Sequence, residues 1–365
     1  MIDTERKLIS FLKRYNKKKV FILSGQNSYF KNKIDRLFDK SLPNKHLFIK
    51  QNKIPLFTEL KKIVKSLNNF DPDLIIAFGG GSAIDYAKIA NVVSDLSKIK
   101  EIVIDQKQKL KKKCKLLAIP TTAGSGAEVT PSAVIYYKGK KYSLEGSEIL
   151  PDFYFLIPKY IKLLNKKAKA SSGFDAIAQS IESIFSVRSN KKSLNFSTES
   201  LKISFKNFIG FVKKPNKSNI SNMLVAANLS GKAIAISKTT APHAFSYPFT
   251  SLFNINHGHA VSLTLGNVLR YNYENIKKAK KNFNLQKRYA LLFRLTKTKS
   301  IEELISFINI LKKKTNLHNN LTKFNINIKK DYLKIMSGIN LRRLSNNPVT
   351  LDKKIIKKIL FEIQK

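Results

Sequence analysis

The amino-acid sequence predicts two domains of different class: an α/β domain with a Rossmann-like parallel sheet at residues 1–158, and an all-helical domain at residues 159–365. In the first part, short apolar runs alternate with amphipathic stretches, which is the rhythm of repeated βαβ units. After Pro158 the strand pattern fades, and the chain reads as successive helices with lysine-rich outer faces. A chain of 365 residues with 43% hydrophobic content is long enough to form two such cores.

The individual elements follow from the spacing of apolar residues. In the first domain we expect buried strands at Val20–Leu23, Leu74–Phe78 and Lys115–Ile119, and a helix at Leu60–Leu67. In the second domain we expect helices at about 171–186, 193–213, 220–237, 258–274 and 301–314, and another from 351 onward.

The formal net charge is +44, from 68 Lys and Arg against 24 Asp and Glu. Such a balance suggests nucleic acid or an anionic membrane as a partner. The lysines are scattered, however, and form no basic block of a known binding type, so we interpret them as solvated faces and disfavour a nucleic-acid role. The excess charge can still help to attract an anionic substrate.

Other features limit the class of protein further. No run approaches the roughly 18 to 20 apolar residues that span a bilayer, and the first residues lack the apolar stretch of a secretory signal, so we expect a cytoplasmic protein. Cys114 is the single cysteine, which excludes an internal disulfide and a cysteine-rich zinc site. A metal would therefore need nitrogen and oxygen ligands.

The segment F-G-G-G-S-A-I-D-Y-A-K at 78–88 follows a predicted strand and opens a helix. Consecutive glycines let the backbone approach a ligand, and a helix N-terminus offers N–H groups to a phosphate. We expect it to cradle a pyrophosphate, although the spacing is not G-x-G-x-x-G and a plain glycine turn is the alternative. The residues expected to contact the cofactor here are Gly79, Gly80, Gly81, Ser82 and Asp85.

A second loop, I-P-T-T-A-G-S-G-A-E-V-T at 119–130, follows another predicted strand. Thr121, Thr122 and Ser125 offer hydroxyl groups, and the nearby glycines allow unusual backbone angles. Alone it would be an ordinary surface loop, but beside the first cradle it is a candidate nucleotide-binding segment.

Three of the five histidines, His243, His257 and His259, fall within one short stretch of the second domain. Further upstream, G-F-D-A-I-A-Q-S places Asp175 and Gln179 on the same face of a predicted helix. Imidazole and carboxylate groups that converge in space bind borderline divalent cations such as Zn²⁺ or Fe²⁺. The sequence therefore favours a metal-assisted enzyme.

These motifs, in this order, resemble the iron-containing (group III) alcohol dehydrogenases. The resemblance rests on G-G-G-S at 79–82, T-T-A-G-S-G-A-E-V-T at 121–130, G-F-D-A at 173–176 and H-x13-H-G at 243–258. K-K-Y-S-L at 140–144, I-E-S-I-F-S-V at 181–187 and A-I-S-K-T-T-A-P-H-A-F-S-Y at 235–247 look most like the branch of phosphonoacetaldehyde reductases.

The resemblance implies a dehydroquinate synthase-like architecture, in which an N-terminal domain binds NADPH or NADH and metal and substrate lie in the cleft beside a helical domain. Asp175, His243 and His257 align with three metal ligands of the family. Members that use iron commonly have a histidine where this chain has Gln179, so Gln179 is either a weak fourth ligand or a substrate contact, and the metal is Fe²⁺ or Zn²⁺. Members often pair, which makes a homodimer a further implication.

Tyr247 lies one helical turn after His243, where many relatives carry another histidine. Its hydroxyl could relay a proton in catalysis or bind an anionic group, and simple packing is an equal alternative. His259 follows a ligand position by two residues, so it should point to another side of the helix and be structural.

The loop L-S-G-Q-N-S at 23–28 predicts the choice of cofactor. Enzymes that prefer NAD usually place a carboxylate where the ribose 2′-hydroxyl binds. Here Gly25 stands near that place, with Ser28 after it, and no acid occurs between Val20 and Asn32. The sequence therefore predicts NADPH rather than NADH.

For the substrate, the branch resemblance implies phosphonoacetaldehyde, reduced to 2-hydroxyethylphosphonate. Arg188, with Lys140 or Lys141, is the expected partner of the phosphonate. The alternatives are a generic short-chain alcohol or aldehyde dehydrogenase, and a non-catalytic, basic nucleic-acid-binding relative.

Overall fold

The computed structural model describes residues 2–280 and 283–364. Contacts divide the chain into two units, with the boundary between Leu164 and Asn165. The expected boundary after Pro158 lies slightly earlier. The short helix that follows Pro158 belongs to the first unit because its Tyr160 is buried in that unit's core and donates a hydrogen bond to Glu5 Oε1 (2.9 Å).

The first unit is an α/β unit. Its elements are α1 (Glu5–Leu12), β1 (Val20–Gly25), α2 (Gln26–Lys31), α3 (Ile34–Ser41), β2 (Lys45–Lys50), α4 (Phe57–Phe70), β3 (Leu74–Gly79), α5 (Gly81–Ala90), β4 (Lys115–Pro120), β5 (Ser132–Tyr137), β6 (Lys140–Glu145), β7 (Phe153–Tyr154) and α6 (Lys159–Lys162).

Five strands form a parallel sheet in the order β2-β1-β3-β4-β7. Alternate residues of each strand point to opposite faces, so Phe21 and Leu23 join one core while Val20 and Ile22 join the other. Burial on both faces explains why β1, β3 and β4 are almost wholly apolar, and the three predicted strands and the α/β class are confirmed.

The chain passes from β1 to β2 on one side and then returns to β3 on the other side of β1. This reversal is a topological switch point, and ligands of such sheets bind outside the carboxyl ends of the strands that flank it. Those ends are Gly25 and Gly79.

A separate two-stranded hairpin, β5–β6, packs beside α5. Its two turn residues, Lys138 and Gly139, both have positive φ (47° and 74°), as a type I′ turn requires.

The second unit is helical within the residues that the structure describes, in agreement with the predicted class. Its helices are α7 (Lys166–Phe185), α8 (Lys191–Lys213), α9 (Lys217–Ser237), α10 (Ala241–Phe253), α11 (His257–Glu274), α12 (Leu285–Thr296), α13 (Ile301–Lys314), α14 (Ile328–Gly338), α15 (Leu341–Leu344) and α16 (Lys353–Glu362).

Helix α7 lies at the centre of this unit and packs against α8, α9 and α11. All its residues from Gly173 to Phe185 are buried, including Asp175, Gln179 and Glu182. Buried polar groups need hydrogen-bond partners, so the acidic and amide side chains of α7 mark where the helices assemble a polar site. None of the helices described in residues 2–280 and 283–364 has the length and apolarity that a membrane crossing requires.

Candidate functional site

The first candidate region is the carboxyl edge of the sheet, at the switch point between β1 and β3. Gly79 ends β3, and Gly80 and Gly81 lead directly into α5. Thr121, which follows β4, donates its backbone N–H to the carbonyl oxygen of Gly79 (3.0 Å). Its hydroxyl lies 3.1 Å from that of Ser28 in α2. The structure thus brings the predicted segments after β1, β3 and β4 together.

Side chains at the three glycines would crowd α5 itself and the loop after β4. A Cβ atom at Gly79 would lie 2.8 Å from the Cβ of Ala83, and one at Gly81 would lie 2.8 Å from Ser125 Oγ. At Gly80 it would meet Thr122 Cγ2 at 3.2 Å. The backbone therefore forms the surface at the start of α5, where the first N–H groups of the helix and its positive dipole end favour an anion.

Asp85 lies one turn into α5, where its carboxylate accepts a hydrogen bond from the backbone N–H of Val134 (3.2 Å). Burial raises the pKa of Asp85 to about 6, although the nearby Lys88 and Lys141 oppose the change. Lys88 is fully buried and donates to the carbonyl oxygens of Thr130 (2.8 Å) and Ser132 (2.9 Å). Asp85 and Lys88 thus hold the hairpin against α5, a contact that no sequence motif indicated.

The second candidate region lies in the helical unit. Asp175 of α7, His243 of α10 and His257 of α11 each offer one donor atom, and these atoms all lie within 4.8 Å of one another. The Nε2 atom of His243 is 3.3 Å from Asp175 Oδ1, and the ring centroids of His243 and His257 are 5.2 Å apart. Two imidazoles and one carboxylate fit a borderline divalent cation such as Zn²⁺ or Fe²⁺.

Glu182 fixes one of these donors. Its carboxylate accepts hydrogen bonds from His243 Nδ1 and from the backbone N–H (2.8 Å) and hydroxyl (3.0 Å) of Thr240. Burial alone would lower the pKa of His243, but Glu182 and Asp175 raise it to about 9. A carboxylate on Nδ1 orients the ring and directs Nε2 toward Asp175, which is how proteins commonly fix a metal-binding histidine.

The side-chain amide of Gln179 makes two hydrogen bonds within the helical unit. Its Nε2 donates to Asp175 Oδ2 (3.2 Å), and its Oε1 accepts a hydrogen bond from the hydroxyl of Ser230 (3.0 Å). The reverse amide orientation would set two oxygens against each other, so this network decides the orientation. The amide oxygen, for which the sequence allowed either weak metal binding or a substrate contact, accepts from Ser230, and the amide nitrogen holds Asp175 in place.

Gly258 allows His257, the third donor, to approach Asp175. A Cβ atom there would lie 1.9 Å from the carbonyl oxygen of Ser171 and 2.9 Å from the Cβ of Asp175. The first turn of α11 therefore packs backbone to backbone on α7, and this packing places His257 beside Asp175.

Comparison with known proteins identifies the family. The model of the iron-containing alcohol dehydrogenases matches residues 3–158, and the model of the C-terminal region of the Fe-containing alcohol dehydrogenase family matches residues 169–363. The chain belongs to the iron-containing alcohol dehydrogenase family. The predicted resemblance is confirmed.

Two curated relatives illustrate the range of this alcohol dehydrogenase family. Aldehyde-alcohol dehydrogenase 2 of Entamoeba histolytica is 32% identical over 278 residues, which cover 71% of this chain and 32% of the relative. Phosphonoacetaldehyde reductase of Streptomyces viridochromogenes is 30% identical over 228 residues, 58% of this chain and 56% of the relative. The chain therefore spans less than two thirds of the length of each.

Solved structures agree on the fold. Sulfoacetaldehyde reductase from Bifidobacterium kashiwanohense, in complex with NAD⁺, has a TM-score of 0.86 at 22% identity and covers 100% of this chain and 96% of its own. An iron-containing alcohol dehydrogenase from Thermotoga maritima has a TM-score of 0.81 at 24% identity, covering 99% and 95%.

Tyr247 of α10 lies beside His257, one of the three donors. Its ring stacks on that of His257, with centroids 6.2 Å apart and planes 23° from parallel. Burial raises the pKa of the hydroxyl, whereas a hydrogen bond and the charge of Arg343 lower it. The hydroxyl is therefore protonated near neutral pH. Arg343 was not among the site residues predicted from the sequence.

The remaining predicted residues lie elsewhere. His259 points away from the donors, and its Nε2 contacts the carbonyl oxygen of His318 (2.7 Å), as expected of a structural histidine. Arg188 is exposed beyond the end of α7. Lys140 is exposed on β6, and Lys141 lies near Asp85 of the α/β unit.

Proposed function

We propose that this chain is a metal-dependent, NAD(P)H-linked oxidoreductase that reduces a short aldehyde to the alcohol, with phosphonoacetaldehyde and 2-hydroxyethylphosphonate as the preferred pair. The observation that carries the proposal is the convergence of Asp175, His243 and His257 within 4.8 Å, in a chain of the iron-containing alcohol dehydrogenase family. The named phosphonoacetaldehyde reductase among its relatives supports the choice of substrate.

Asp175, His243 and His257 are the residues that would hold the cation. When bound, the cation would act as a Lewis acid on the carbonyl oxygen, and the reduced nicotinamide would provide the hydride. Glu182 keeps the ring of His243 in one orientation, and the Nε2 atom of Gln179 does the same for the carboxylate of Asp175. Fixed donors need no reorganisation during the reaction, which is the main contribution a protein makes to such a site.

Tyr247 is the group we assign to proton transfer. Its hydroxyl is protonated near neutral pH because burial raises its pKa. Its ring is fixed by stacking on His257. A fixed, protonated hydroxyl beside the reacting oxygen can donate a proton as the alkoxide forms.

The sheet edge of the α/β unit is the site we assign to the cofactor. Gly79, Gly80, Gly81 and Ser82 would face the pyrophosphate at the start of α5, with Thr121, Thr122 and Ser125 opposite and Asp85 and Ser28 at the margins. Hydroxyl groups and helix N–H groups bind phosphate oxygens well.

NADPH is the expected reductant. Gly25, at the end of β1, pairs in register with Lys50 at the end of β2, and a Cβ atom at Gly25 would lie 3.8 Å from Lys50 Cε. A lysine where NAD-binding sheets usually carry an acid would attract a 2′-phosphate. The sulfoacetaldehyde reductase of the same fold was solved with NAD⁺, so both cofactors belong in the assay.

The test is oxidation of NADPH and of NADH by purified protein reconstituted separately with Zn²⁺ and Fe²⁺, using phosphonoacetaldehyde and propanal. A strong preference for the phosphonate supports the full proposal. Equal rates with propanal would leave a generic aldehyde reductase, and no turnover with either cation would contradict the enzymatic function.

A further inference from the structure

Arg343 is held at a fixed place by its backbone. It lies in the short helix α15, where its N–H donates to the side-chain oxygen of Asn340 (2.9 Å). Just after α15, the buried Asn346 donates from Nδ2 to the carbonyl oxygen of Thr239 (3.0 Å), next to the start of α10. The segment is therefore tied to the helix that carries His243 and Tyr247.

The side chain of Arg343 continues this connection toward the metal donors. It is hydrogen-bonded to the hydroxyl of Tyr247, and the ring of Tyr247 stacks on His257. A guanidinium thus lies one aromatic side chain away from the three converging donors.

We propose that Arg343 binds the anionic head group of the substrate and so selects short aldehydes that carry an oxyanion at the far end. This inference rests on the proposed function. A guanidinium has five N–H donors in a planar fork, so a bond to one hydroxyl is compatible with a bidentate bond to a phosphonate or carboxylate. In this arrangement the hydroxyl of Tyr247 faces the aldehyde oxygen of the substrate, while Arg343 binds the anionic group at the far end of the same substrate.

The local charge agrees with this assignment. Two carboxylates, Asp175 and Glu182, contribute −2, a divalent cation would contribute +2, and Arg343 adds +1. With such a cation bound, these groups would sum to a net positive charge. An anionic substrate would compensate that charge and a neutral aldehyde would not. Phosphonate and carboxylate share this chemistry, so the substrates tested must separate them.

Arg343 is better placed for this role than Arg188. Asp175 and the end of α7 at Phe185 are ten residues apart, about 15 Å along the helix axis, and Arg188 lies beyond that end with its side chain exposed. Arg343 contacts Tyr247 directly.

The experiment compares Arg343→Met and Arg343→Lys with Arg270→Met, an exposed position on α11, as a matched loss of charge. Each protein is assayed with phosphonoacetaldehyde, succinate semialdehyde and propanal. We expect Arg343→Met to lower kcat/KM for the anionic aldehydes about 100-fold, as for loss of a charge-assisted bidentate pair, with propanal changed less than about threefold. Arg343→Lys should retain part of the preference, and Arg270→Met all of it. The ratio between phosphonate and carboxylate in the unmodified protein shows which head group the site prefers.

An equal loss of kcat with all three aldehydes would overturn the inference, because it would mean that Arg343 only positions Tyr247. Binding is measured independently by calorimetry with 2-hydroxyethylphosphonate and with ethanol, using metal-loaded protein without NADPH. Weaker binding of the phosphonate to Arg343→Met supports the role of Arg343 even if no aldehyde is reduced, an outcome that would contradict the proposed function alone. Unchanged phosphonate binding contradicts the role of Arg343.

Discussion

Substitution of Gly258 by alanine tests whether the metal donors depend on the close packing of α11 on α7. A Cβ atom essentially never lies within 3.0 Å of a heavy atom outside its own residue and its chain neighbours, and here the distance to the carbonyl oxygen of Ser171 would be 1.9 Å. The first turn of α11 must therefore move by at least 1.1 Å, the difference between these distances. Because the obstacle is backbone, we expect the upper end of the overpacking range, about 3 kcal/mol of lost unfolding free energy.

The same movement carries His257 away from Asp175, so Gly258→Ala should also weaken metal binding. The matched control is Gly266→Ala on the same helix, where the new Cβ would lie 3.7 Å from Ile305 Cγ2, an ordinary contact. That change should stabilise the protein by about 0.5 to 1 kcal/mol, the usual advantage of alanine over glycine in a helix.

The assays are urea unfolding of the metal-free proteins and competition for Zn²⁺ with a chromophoric chelator. We expect an earlier unfolding transition and weaker metal binding for Gly258→Ala alone. If Gly258→Ala unfolds at the same urea concentration as the unmodified protein and binds Zn²⁺ equally well, the packing of α11 on α7 described above is wrong.

Four further changes test other parts of the molecule. Glu182→Gln should weaken metal affinity about 10- to 100-fold by releasing His243, whereas Glu199→Gln on the surface of α8 should not; equal affinities would exclude the positioning role. Gln179→His should raise Fe²⁺ affinity at least about tenfold in a metal titration, since imidazole is the better donor; no gain would mean that this side of α7 does not face the cation. Lys50→Glu should shift kcat/KM toward NADH by about tenfold or more, and an unchanged cofactor ratio would contradict the assignment of Lys50. Burial lowers the pKa of Lys312 from 10.5 to about 7, so the folded chain binds fewer protons than the unfolded chain between these values and stability should rise with pH there. Lys312→Met should reduce that rise in urea unfolding between pH 7 and 9, and a rise as large as that of the unmodified protein would contradict the assignment to Lys312.

The sequence predicted the strands that are buried on both faces of the sheet. Strands β1, β3 and β4 are covered on both faces, so they appear as unbroken apolar runs. Strand β2 is half-buried throughout and carries lysines at both ends, so it lacks that pattern. Helix α10 contains Pro248, which ordinarily marks a break, and no helix was predicted there although the segment carries His243 and Tyr247.

The candidate site was predictable where its residues stand in motifs. Asp175, His243 and His257 were found because carboxylate and imidazole groups cluster in the chain. Glu182 could have been found as well, since it lies two turns after Asp175 on the same helix face. Arg343 could not, because its contact with Tyr247 joins distant parts of the chain and no pattern marks the segment around it. Residues that act through tertiary contacts leave little trace in local spacing.

Gln179 shows how a departure from a family pattern can leave a site intact. Its Nε2 donates to Asp175 and its Oε1 accepts from Ser230, so both polar ends of the amide are satisfied inside the helical unit. A buried histidine or carboxylate there would need a different set of partners, whereas the amide fits between a carboxylate and a hydroxyl. In this network the amide oxygen faces Ser230, and the amide nitrogen holds the carboxylate of Asp175 in place. A site with two imidazoles, one carboxylate and an open position is the arrangement that catalytic zinc commonly adopts, so residue 179 and the choice of metal should be coupled.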